Sequence, residues 1–162
     1  MRLVLGSDLH GNLFDVPPCD VLVLAGDILP EDDQEGFIET KLKPWLSKVP
    51  AGSIIATWGN HDSKPFRWSY ALPWKLLLDS SIVVGGLKFH GTPWCLPIGR
   101  WAWQAPEYLL EHIYSMIPED VDILISHTPP YGTCDRTVEG ELIGSRALLK
   151  RISELSDLKF GA

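Results

Sequence analysis

Four stretches of the chain are almost unbroken in apolar residues, and each gives way to small and polar ones. Residues 2–8 read RLVLGSD, residues 21–27 VLVLAGD, residues 53–62 SIIATWGNHD and residues 121–130 VDILISHTPP. Short runs rich in Val, Ile and Leu predict strands, and continuity in place of alternation predicts strands buried on both faces of a central sheet. Residues 32–49 instead place Ile38, Leu42, Trp45, Leu46 and Val49 at helical spacing, with Pro44 set to weaken or kink that helix. Two more helices are predicted over residues 105–117, with Pro106 at a first-turn position, and over 145–155, with Ser145 as N-cap. Residues 80–94 read as a hairpin turning at Gly85-Gly86. Residues 157–162, DLKFGA, read as an entering strand. No solenoid-length repeat or low-complexity tract interrupts this order. The coarse reading is one α/β domain over residues 1–162, with helices outside and a mixed sheet or sheets inside.

Composition narrows the function classes. The 162 residues are 22% charged and 45% apolar, an ordinary folded mixture without a disorder signature. No apolar run approaches the roughly 20 residues that span a bilayer. Asp8 and His10 interrupt the only apolar segment near the N-terminus, so no signal-peptide arrangement is read there and a cytoplasmic location is expected. Cys19, Cys95 and Cys134 are odd in number and widely spaced, which predicts reduced thiols rather than disulfides or zinc thiolates. A net charge of −7 argues against a general nucleic-acid surface but leaves room for a phosphorylated substrate, since bound cations invert the local field.

The candidate chemistry lies where the apolar runs stop. SDLHGN follows the first, AGD the second, GNHD ends the third and SHTPP the fourth, so Asp8, His10, Asp27, Asn60, His61 and His127 can meet in one crevice beyond the strand ends. Carboxylates, imidazoles and an amide oxygen form an oxygen and nitrogen donor set suited to manganese, iron or zinc. A bridging Asp is what two cations about 4 Å apart require. Gly11, Gly26 and Gly59 beside these residues permit tight turns and close backbone approach.

In order and approximate spacing, Asp8-x-His10-Gly11, Gly26-Asp27, Gly59-Asn60-His61-Asp62 and Ser126-His127 resemble the successive blocks of the calcineurin-like metallophosphoesterases. Residues 91–103, 127–135 and 139–149 further resemble the small phosphodiesterase-like branch of that superfamily. The resemblance implies a four-layer α/β/β/α sandwich and hydrolysis of a phosphoester, a phosphodiester in preference to a monoester. It implies a dinuclear divalent-metal centre with Asp8 and His10 on the first ion, Asp27 bridging, and Asn60 and His127 on the second. A metal-bound hydroxide would attack phosphorus. Asn60 and His61 would contact the phosphate, His61 would protonate the leaving group, and Asp62 would orient His61. None of the cysteines is given a role.

The family pattern closes with Gly-His-x-His, whose two histidines fill the last of seven metal positions. This sequence reaches Ala162 where that block would begin, with five positions present. The expectation is therefore a domain incomplete at its C-terminus, with weakened metal binding and an open edge near Leu158 to Phe160 for an oligomer or partner to cover. The alternative is an impaired relative that acts as a binding or interaction module or takes the missing ligands in trans. His90 and His112 are expected to pack rather than replace those ligands, and Trp58 to lie in the core. Trp94, Trp101 and Trp103 are read first as packing residues and second as the lining of a substrate pocket.

Overall fold

The structure is a computed structural model, and it describes residues 1–63 and 71–161, apart from the side chain of Phe160. One sheet is parallel throughout, in the order β1 (Leu3–Gly6), β2 (Cys19–Ala25), β3 (Ala51–Thr57) and β4 (Lys75–Leu76). The second is mixed, in the order β5 (Ser80–Val84), β6 (Leu87–Thr92), β7 (Ile123–Ser126) and β8 (Phe160–Gly161). There β5 and β6 form the expected hairpin, with Gly85 and Gly86 both at positive φ, while β6–β7 and β7–β8 pair in parallel.

The apolar runs thus belong to two sheets rather than one. For β2, β3 and β7 their continuity is explained by the period-two alternation of side chains between two different cores, whereas β1 is an edge strand with Leu5 exposed and is not buried on both faces as expected. On β2, Val21, Val23 and Ala25 face the second sheet, joined there by Ile55 of β3, Phe89 of β6, and Ile123 and Ile125 of β7. Leu22 and Leu24 face the other way, with Ile54 and Ala56, onto Ile38, Leu42 and Leu46 of the first helical layer. Leu124 of β7 joins Leu110, Tyr114 and Leu148 of the opposite layer. The order of layers is helices, sheet, sheet, helices.

The first helical layer is a single segment made of α1 (Gln34–Phe37), a π-helical turn (Ile38–Leu42) and α2 (Lys43–Leu46). The wider turn absorbs Pro44, which has no N–H to give and would crowd the carbonyl one turn back; the Lys43 N–H instead reaches the Ile38 carbonyl. The far layer holds α3 (Glu107–Ser115), which begins directly after Pro106, and α4 (Arg146–Glu154), where the Ser145 hydroxyl accepts from the Leu148 N–H at 3.1 Å. In DLKFGA, Phe160 and Gly161 pair with Ile123 and Leu124, and Leu158 packs against the helical layer instead of exposing apolar surface. Among the described residues no helix is long and apolar enough to cross a membrane.

Candidate metal centre

The carboxyl ends of β1, β2, β3 and β7 deliver the candidate ligands to one place. Backbone bonds lock the first two loops together: Asp8 N–H to Gly26 O (3.1 Å), His10 N–H to Asp27 O (2.9 Å) and Gly11 N–H to Ile28 O (3.0 Å). Asp8, His10 and Asp27 all hold left-handed backbone, at φ 55, 44 and 50°. Such conformations cost free energy in non-glycine residues, and they gather where a site over-determines them. Gly26 and Gly59 let the loops meet. A Cβ on Gly59 would come within 2.3 Å of Asp27 Oδ1, and one on Gly26 within 2.5 Å of His127 Nδ1.

Asp27 is buried at the centre. Its Oδ2 faces His10 Nε2 at 3.7 Å and His61 Nε2 at 3.9 Å, and its Oδ1 faces His127 Nε2 at 3.4 Å. Its carboxylate is shared by two clusters of potential ligands, Asp27 with His10 and His61, and Asp27 with Asp8 and His127. The second cluster extends through Asn60, whose Oδ1 lies 2.9 Å from His127 Nε2. The His127 Nδ1–H donates to Ala25 O at 3.0 Å, which leaves the Nε2 lone pair pointing at two oxygens that are themselves acceptors. Three convergent acceptors need a cation, or a proton, between them. The oxygen and nitrogen donors are those of a divalent-metal site. A cavity of about 350 Å³ opens above them, lined by these residues together with Cys95, Leu96, Ile98, Thr128, Pro129, Cys134 and Ile143.

The sequence profile of the calcineurin-like phosphoesterases matches residues 1–156. The chain belongs to the calcineurin-like phosphoesterase family. Metallophosphoesterase domain-containing protein 1 of Homo sapiens is 31% identical over 170 aligned positions, covering 83% of this chain and 50% of that protein. The mouse protein of the same name matches to the same extent. A UPF0046 protein of Caenorhabditis elegans is 28% identical, covering 94% of this chain and 48% of its own length. The chain spans about half the length of these curated relatives.

In this member of the family the GNHD turn is organised from below by Asp62. Its carboxylate accepts from the backbone N–H groups of Ile28 (3.1 Å), Leu29 (2.9 Å) and Gly59 (2.8 Å), so it pins the Asp27 loop to the Asn60 loop. Burial pushes this carboxyl up to about 6, against the backbone donors that hold it down. The resemblance had Asp62 orienting His61, but its hydrogen bonds go to backbone and other groups hold the imidazole. Trp101 lies on that ring at 4.0 Å between centroids and 32° between planes, and His10 meets it edge-on at 4.8 Å. Glu31 Oε1 lies 3.9 Å from His61 Nδ1, while the backbone N–H of His61 donates to Asp27 Oδ1 at 2.8 Å.

Trp101 was one of three ambiguous tryptophans, and the phosphoesterase fold separates them. Trp94 donates to Asp79 Oδ2 at 2.7 Å and Trp103 to the Asp62 carbonyl at 3.2 Å, each packed against a helical layer, and Trp58 is buried in the core. Sequence reasoning gave the cysteines no role, yet Cys95 is buried beside the centre, its thiol donating to Asn60 Oδ1 at 3.8 Å. Burial pushes that thiol up to about 12, so it stays protonated as a donor. Its place follows from the pairing of the Cys95 and Gln104 backbones, a loop closure with no local sequence signal. His90 is buried against the Ser81 hydroxyl at 2.8 Å, and His112 is exposed on α3.

Proposed function

We propose that this chain hydrolyses phosphodiesters at two divalent cations held by Asp8, His10, Asp27, Asn60 and His127, with Asp27 between them. The observation that carries this reading is the buried Asp27 carboxylate, whose Oδ2 faces His10 and His61 and whose Oδ1 faces His127, so that it is shared by two separate groups of potential ligands. Cations such as manganese, iron or zinc suit that donor set and, when bound, polarise phosphoryl oxygens and acidify water.

The chain's own residues supply orientation and a proton. The His127 Nδ1–H bond to Ala25 keeps Nε2 aimed inward, and the backbone N–H bond of His61 holds Asp27 in place. Asn60 and His61 border the cavity where the phosphate would sit, and in this reading His61 would protonate the departing alkoxide. The preference for a diester rests on the resemblance of residues 91–103, 127–135 and 139–149 to the small phosphodiesterase-like branch.

The test is a metal titration of the chain. Manganese at millimolar concentration is expected to raise the melting temperature and to support hydrolysis of bis(p-nitrophenyl) phosphate. Asp27→Ala should abolish the thermal shift and lower hydrolysis by more than about 100-fold, since loss of a group behind a ligand already costs 10 to 100-fold. A wild-type chain that shows no thermal shift with any of the three metals would overturn the reading.

A further inference from the structure

We infer that the cavity carries an apolar subsite for an uncharged, planar organic substituent of the diester, which extends the phosphodiesterase reading above and rests on it. The cavity is two-faced. Its floor is the cluster around Asp27, while Leu96, Ile98 and Ile143 contribute hydrocarbon to its walls. Ile98 is 51% exposed and Ile143 36%, and Trp101, covering one face of His61, is 43% exposed. Large apolar side chains left open beside a polar centre form a ligand wall better than a packing surface.

The walls stand on loops that are tied down. Ile143 donates its N–H to Asp135 O at 3.0 Å, and the buried Asp135 carboxylate gathers the Gly132 and Gly144 N–H groups at 2.8 and 3.2 Å. On the other side Cys95 N–H donates to Trp103 O at 2.9 Å and Ala102 N–H to Asn60 O at 3.0 Å, which anchors the loop of Ile98 and Trp101 to a candidate ligand. The phosphate would therefore meet the polar floor while the substituent it carries meets hydrocarbon. A phenyl-sized group gains from that burial and a methyl group gains little.

The experiment is calorimetric titration of the manganese-loaded chain with diphenyl phosphate and with dimethyl phosphate. Diphenyl phosphate is expected to bind at least about tenfold more tightly, with the preference falling to about twofold or less in Ile98→Asp and in Ile143→Asp. Both residues are exposed, so far-UV circular dichroism should be unchanged, and Ile98→Ala should give an intermediate preference. Equal affinity for the two diesters, no binding of either, or a preference untouched by both Asp variants would overturn the subsite. Hydrolysis is measured in the same samples. Turnover without aryl preference overturns the subsite alone, whereas aryl-selective binding without turnover supports the subsite and overturns the phosphodiesterase reading.

Discussion

The Asp62 carboxylate is fully buried, and it gathers three backbone N–H groups from two loops. Asp62→Ala would leave those donors in the interior without a partner, at about 1–3 kcal/mol each, so a stability loss of at least about 3 kcal/mol is expected in urea denaturation. Asp62→Asn keeps one acceptor oxygen and should lose less. A loss below about 1 kcal/mol for the Ala variant would mean that water enters and takes over those bonds. Asp8, His10, Asp27, Asn60 and His127 were legible because four short blocks at the ends of apolar strands stand in the order of the family pattern; a strand-end position alone would suit loop-capping Asp, Asn and His equally. Asp62 was named with them, but its service to the backbone was not legible, since the Ile28 and Leu29 N–H groups are more than 30 residues away along the chain.

The helix over residues 32–49 shows what a local pattern can and cannot say. Spacing and Pro44 announced a disturbed helix, and the structure resolves the disturbance as a π-helical turn over Ile38–Leu42. The hairpin of β5 and β6 was equally plain in Gly85-Gly86, and it carries a testable pH dependence. Burial against β5 pushes the His90 imidazole below its ordinary value of 6.5, with the Asp79 charge partly opposing. The folded state therefore keeps His90 neutral where the unfolded chain takes up a proton. Its contribution to stability is present above pH 6.5 and is lost as the pH falls through the unfolded value toward the depressed folded one. In chelator, which removes metal effects, the melting temperature of the wild type should fall more steeply from pH 7 to 5.5 than that of His90→Gln. Parallel slopes would show that His90 does not titrate differently in the fold.

Two sheets packed face to face bring four strand ends to one centre. Phe89 sits at their interface and is fully buried, with Val21, Val23, Ile55, Ile123 and Ile125 in the same core. Phe89→Ala is expected to cost about 3–5 kcal/mol in thermal or urea unfolding. The manganese shift should shrink with it, because His127 follows β7 while Asp27 and Asn60 follow β2 and β3. A destabilised variant with an undiminished metal shift would uncouple the sheet interface from the centre. By itself the sequence determined the strands other than the two-residue β4, the helices and the identity of most candidate ligands, because hydrophobic period, capping residues and polar strand ends are local signals. Only the tertiary structure decided that β7 lies in a different sheet from β1, β2 and β3, that Trp101 covers His61, and that Cys95 donates to Asn60. Those outcomes depend on which buried faces meet, and one face of apolar residues pairs with another through shape and register that no single stretch of the chain encodes.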